Sequence, residues 1–92
     1  MIKGFRDRKT ADFFAGKDVK EWQSIKKVAE RKLTFVDSVT TLSDLASPPG
    51  NRLEKLDGDR KGQHSIRIND QWRICFVWHQ DGPHDVEITD YH

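Results

Sequence analysis

Hydrophobic residues change their period about half way along the chain. In the first half, Trp22, Ile25, Val28, Ala29, Leu33 and Val36 recur at helical spacing. Asp18, with Glu21 three residues later, is placed to cap the start of that helix. Lys20, Lys26, Lys27, Glu30 and Arg31 fall on the opposite face, so the apolar stripe is expected to pack on a sheet while the basic side stays in water. Before Gly16, Ala11, Phe13 and Phe14 suit a short first helix, and Ile2 to Phe5 suit a strand. Thr41 and Asp44 form a second capping pattern leading into Leu42 and Leu45. Ser47-Pro48-Pro49-Gly50 then stops any helix.

Downstream the period becomes two. Ile66 and Ile68 alternate with Ser65, Arg67 and Asn69, and Trp72, Ile74, Phe76 and Trp78 alternate with Arg73, Cys75, Val77 and His79. Gln80-Asp81-Gly82-Pro83 supplies a turn, and Val86 with Ile88 continues the alternation into a third strand. Residues 52 to 57 could add one more. Strand, helices and then an antiparallel meander define an α+β domain, and 92 residues are enough for a single one, spanning 1–92.

A register follows from parity. The even-numbered apolar residues share a face only if paired residue numbers sum to an even value, and one such register sets Arg67 opposite Arg73. Like charges in that position destabilise a sheet, by roughly a few tenths to 1 kcal/mol. Two readings follow: ordinary solvated residues on an outer face, or an anion site. The same parity places Arg73 on the face of Tyr91, and one allowed register sets the two directly opposite. Guanidinium forks suit phosphate oxygens, and an aromatic ring suits a base, so this face is a candidate RNA surface.

Composition narrows the classes. The net charge of +1 excludes binding to nucleic acid by bulk charge alone. The charge is nevertheless segregated: Lys17 to Lys32 holds six basic and three acidic residues, whereas Asp81 to His92 holds four acidic residues and no Lys or Arg. The basic helical face could solubilise the fold or meet ribosomal RNA. One cysteine, Cys75, cannot form an internal disulfide, and no apolar run reaches the length of a membrane span or signal peptide, so a cytoplasmic location is expected. His79, His84 and His92 lack metal-site spacing, so no metal is expected. His64 and the three tryptophans read as core or edge residues, and Cys75 as a filler without a nucleophile's partner.

Pro48-Pro49-Gly50-Asn51-Arg52-Leu53, Gly58-Asp59-Arg60, Ser65-Ile66-Arg67, Asn69-Asp70-Gln71-Trp72-Arg73-Ile74 and Asp90-Tyr91-His92 together resemble HigB-type toxins, also called plasmid-maintenance killer proteins, of the RelE/ParE superfamily. The resemblance is tight over residues 47 to 92; upstream it rests on the helical pattern and on Ile2 to Phe5. It implies helices packed on a twisted antiparallel sheet and ribosome-dependent cleavage of mRNA. In that chemistry the ribose 2′-hydroxyl attacks the adjacent phosphate, with no cofactor. It also implies silencing by a HigA-like helix-turn-helix antitoxin. Partners would then be ribosome, mRNA and antitoxin, with operator DNA reached only through the antitoxin, and no membrane.

Carried over residue by residue, Arg73 takes the scissile phosphate, Asp90 and His92 are candidate acid–base groups, and Tyr91 orients or stacks. An unperturbed histidine titrates near neutrality, which makes His92 the more economical proton shuttle, whereas Asp90 would need a raised pKa or would orient His92. Arg67, Arg60, Lys55 and Arg52 are candidate RNA or phosphate contacts. Several relatives carry a His and a Lys before the Gly-Asp turn where this chain has Glu54, Lys55 and Asp57, which leaves Glu54 as a candidate base. Two other functions are compatible with such a chain: a ParE-like toxin that poisons DNA gyrase by contact, against which the terminal His92 argues, and a catalytically decayed co-repressor of its antitoxin.

Overall fold

The computed structural model describes residues 1–90. Helix α1 (Arg8–Phe14) starts where Asp7 accepts the Thr10 backbone N–H at 2.7 Å, an N-cap that satisfies one of the helix's free donors. A 3-10 helix (Lys20–Ile25) leads into α2 (Lys26–Ser38). Four strands follow: β1 (Glu54–Lys55), β2 (His64–Arg67), β3 (Arg73–His79) and β4 (Gly82–Thr89), paired antiparallel in the order β1-β2-β3-β4. The expected α+β class and meander are present, and residues 54–55 supply the additional strand.

Three local expectations need correction. The long helix is not continuous: Trp22 has non-helical angles (φ −110°, ψ 16°), which turn its indole inward between Phe13 and Trp72, edge-on to both. Nor is Asp18 a cap. Val19 occupies the cap position, and the Asp18 carboxylate accepts from Lys26 Nζ at 3.0 Å; that hydrogen bond and the lysine's charge lower its pKa. The Ile2–Phe5 strand is reduced to a parallel bridge between Phe5 and Val86, with Lys3 and Arg6 donating to Pro83 and Val86 carbonyls at 2.9 and 3.0 Å. By contrast, the capping box of Thr41 and Asp44 is formed, over a 3-10 helix (Leu42–Ala46). The double proline ends that segment, and Pro49 then opens a single 3-10 turn (Pro49–Asn51), where its missing N–H is no loss.

The core lies between α2 and one sheet face. Ala29, Leu33 and Val36 of α2 meet Ile66, Ile74, Phe76, Val86 and Ile88, all buried, so the even-numbered strand residues point to the helices as the alternation requires. A bulge interrupts the register: Cys75 pairs with Glu87 but Val77 with His84, so β4 carries an extra residue opposite Phe76, where Asp85 adopts φ 50°. This shift returns Pro83 to the side of Trp78 and keeps the last turn of the meander packed. Buried Thr10 joins α1 to the sheet, its Oγ1 accepting the Ile88 N–H at 3.1 Å.

Thr10→Val keeps the shape but strands the Ile88 donor in the core, so unfolding in urea should come at lower concentration, with a loss of about 1–3 kcal/mol. Thr10→Ser should retain most of the stability; equal losses in both variants would assign the effect to packing.

Candidate functional site

The sheet's outer face is built by the odd-numbered residues of β2 and β3, by Glu87 and Thr89 of β4 beyond its bulge, and by Glu54 of β1. Pairing places Glu54, Ser65, Cys75 and Glu87 in one row across all four strands, and Arg67, Arg73 and Thr89 in the next. The Arg67–Arg73 pairing expected from parity is the register adopted. Opposite Arg73 on the other side, however, stands Thr89, so the register that would set Tyr91 there is not adopted. Tyr91 and His92 lie outside the described residues.

The two arginines avoid each other by taking different partners. Arg73 is only 8% exposed. Its Nε donates to Ser65 Oγ at 2.9 Å, its Nη2 donates to the Arg52 carbonyl at 2.7 Å, and the Glu54 carboxylate stands 3.8 Å from Nη2. Arg67 turns to Asp70 in an ion pair, and its own carbonyl accepts from Lys32 Nζ. Burial, followed by the charges of Arg31, Arg67 and Arg73, lowers the Lys32 pKa. The Arg52 acceptor is aimed by local backbone: after the 3-10 turn Arg52 takes a left-handed conformation (φ 47°, ψ 58°), which costs an L-residue about 1–2 kcal/mol. Asn51, buried beneath it, anchors the turn through its side-chain amide to the Leu45 and Ser47 carbonyls.

A second cluster flanks the Cys75–Glu87 pair. Arg60 donates to Glu87 at 2.6 Å and to Gln63 at 3.1 Å, and Arg6 lies 3.7 Å from the other Glu87 oxygen. Buried Glu87 thus holds two cations at the edge of the outer face. Desolvation pushes the Cys75 thiol up to about 11, which leaves it neutral and poorly nucleophilic, as a filler would be.

The structure brings Arg73, Arg67, Glu54 and the Arg52 backbone together, and Arg60 onto the same face. Lys55 pairs with His64 on the opposite side of its strand. His64 stacks on Phe76, its Nδ1 is buried without a partner among the described residues, and its pKa is lowered by burial and then by Lys55, as a core-edge histidine. Asp90 is exposed and accepts from Gln71 Nε2 at 3.2 Å; Gln71 sits on a turn whose Gln71 and Trp72 N–H groups are capped by Asn69. Sequence reasoning missed Ser65 and Glu87 as partners of the arginines, and Arg6 as a further cation on Glu87. Parity could have found Ser65 and Glu87, since they share the face of Arg73; the left-handed Arg52 left no sequence signal. His79 and His84 meet edge-on at the far end of β3, where His84 binds Asp81 at 2.7 Å and lowers its pKa.

Comparison with known proteins adds the following. The family described as RelE-like toxin of type II toxin-antitoxin system HigB matches residues 3–92. Toxin HigB-1 of Vibrio cholerae is 49% identical over 55 residues, 60% of this chain and 58% of that protein. An uncharacterized protein of Haemophilus influenzae is 38% identical over 52 residues, 56% of this chain and 52% of its own length. The chain thus spans little more than half of these curated relatives. Two solved structures of YoeB–YefM complexes from Staphylococcus aureus, one described as a heterotetrameric toxin-antitoxin complex, align over 100% of this chain and 95% and 98% of theirs. Their TM-scores are 0.60 and 0.62 at 19% and 18% identity, a likeness of fold.

Cys75 should resist a thiol reagent at pH 8 in the folded chain and react at once in denaturant. Because its folded pKa is raised, the associated stability is complete below the ordinary thiol range, near 8.5, and is lost as pH rises toward about 11. Denaturation midpoints should therefore fall more steeply over that window than in Cys75→Ala. Parallel profiles would show that the thiol does not titrate there.

Proposed function

The chain belongs to the HigB-like family of RelE-like toxins of type II toxin-antitoxin systems, and from that premise we propose that it is a ribosome-dependent endoribonuclease that stops translation by cutting mRNA. The observation that carries the reading is the held guanidinium of Arg73. Of the five N–H groups of an arginine, two are committed among the described residues, to Ser65 and to the Arg52 carbonyl, and the others are the donors we assign to a phosphate. A donor set fixed before the reaction stabilises new charge without reorganising.

Cleavage needs one proton removed and one supplied. A base takes the proton of the ribose 2′-hydroxyl, the 2′-oxygen bonds to phosphorus, and the bond from phosphorus to the 5′-oxygen breaks. The leaving oxygen takes a proton from an acid, giving a 2′,3′-cyclic phosphate and a 5′-hydroxyl. Arg73 stabilises the extra negative charge of the phosphorane. Asp90 and His92 are the candidate acid–base pair and Tyr91 the orienting group. Glu54 is an alternative base beside Arg73. Arg67 and Arg60, on the same face, and more peripherally Arg52, contact flanking phosphates, whereas Lys55 faces the other side of its strand. This chemistry draws on no metal ion.

The partners that follow are the ribosome with its mRNA in the cytoplasm, and a HigA-like helix-turn-helix antitoxin through which operator DNA is reached. No helix of the described residues is long and apolar enough to cross a membrane.

Brief induction of the chain from a tight promoter, with new mRNA 5′ ends mapped in the presence and absence of a translation inhibitor, tests the reading. Cuts inside coding regions should appear, vanish with the inhibitor, and fall by about 10²-fold or more in Arg73→Ala. Deletion of His92 should abolish them if it carries the proton. Growth arrest without such cuts would sink the endonuclease and favour gyrase poisoning; neither arrest nor cuts would favour the co-repressor.

A further inference from the structure

A groove of about 560 Å³ runs between α2 and the Pro48–Asn51 turn, on the helical side of the molecule rather than on the outer sheet face. Arg31, Lys32, Phe35 and Ser38 line it from the helix, and Pro48 and Asn51 from the turn. Its size falls in the range of real ligand sites. Its lining, among the described residues, includes no Asp or Glu, so the occupant must bring the negative charge.

The same residues distinguish between kinds of anion. Lys32 is already committed to the Arg67 carbonyl. Arg31 is exposed, with no side-chain partner among the described residues. A pair of cations, Arg31 and the Lys32 that already donates to the Arg67 carbonyl, beside the half-buried Phe35 ring and the exposed Pro48 is too little charge for a run of RNA phosphates, whose binding scales with the number of cations engaged. It matches a peptide that seats an apolar anchor and sets a carboxylate at the rim.

We infer that this groove receives an acidic segment of the antitoxin, with an apolar side chain against Phe35 and Pro48 and a carboxylate on Arg31. The identity of the partner rests on the toxin–antitoxin reading above; the chemistry of the groove does not. The location has a consequence for inhibition. Lys32 bonds to the backbone of Arg67, and Asn51 adjoins Arg52, whose carbonyl holds Arg73. A segment pressed into the groove therefore bears on the two supports of the arginine pair while the outer face stays uncovered.

Arg31→Glu and Ser38→Trp, both at exposed helix positions, reverse the charge and fill the groove. Calorimetry with the purified cognate antitoxin should show each variant binding about tenfold or more weaker, with Arg31→Lys close to the parent. Cleavage by the free Arg31→Glu variant in a cell-free translation reaction should stay at the parent's rate. Unchanged affinity in both variants overturns the inference, and so does lost cleavage with affinity retained, which would give the groove to RNA. A parent that binds antitoxin through Arg31 but cuts nothing sinks the endonuclease and leaves the groove standing. Should either variant fail to fold, hydrogen exchange on the parent decides: antitoxin must slow exchange at 31–38 and 48–51, and no protection there overturns the inference.

Discussion

The pairing of β2 with β3 commits each residue of that hairpin to one of two faces, and the rest of the molecule is arranged around the commitment. Ile66, Ile74 and Phe76 must all lie under α2, so Ser65, Arg67, Arg73 and Cys75 must all lie on the other side. A slip of one residue would expose the core and bury the arginines, a penalty far larger than the repulsion of two guanidiniums in register. The core therefore imposes the Arg67–Arg73 juxtaposition, and the outer face then had to be built to tolerate it.

That tolerance comes from unequal treatment of the two charges. Arg67 leans to Asp70 at the rim, whereas Arg73 is sunk among a hydroxyl, a backbone carbonyl and a more distant carboxylate. Burying a guanidinium is costly unless its donors are satisfied. Ser65 and the strained Arg52 turn supply the satisfaction at the expense of a left-handed residue. Strain of this kind persists where surrounding structure enforces it, and Asn51 beneath the turn provides that enforcement. The same turn forms one wall of the groove behind α2, so the catalytic candidate and the inferred docking site share a support.

Much of this was legible in the chain. Periods of 3.6 and then 2 identify α2 and the meander, parity admits the pairing of Arg67 with Arg73 as one allowed register, and residues 52 to 57 were open to an added strand, which forms at 54–55. The capping box at Thr41 also formed as its residues imply, because it depends on four consecutive residues and little else. Asp18 shows the limit of local reasoning: its spacing to Glu21 suits a cap, but the indole of Trp22 is drawn to Phe13 and Trp72, which breaks the helix there and frees Asp18 for Lys26.

What the sequence determined by itself was the α+β class, the faces of the central strands, the candidate arginines and, through its motifs, the family. These depend on periodicity and on residue identity, both of which are local. The tertiary structure alone decided which atoms hold Arg73, that Glu87 gathers Arg60 and Arg6, that Thr89 rather than Tyr91 lies opposite Arg73, and that a groove opens beside Arg31. Each depends on a turn conformation or a contact between residues distant in sequence. Their energies are settled by packing that no single segment encodes.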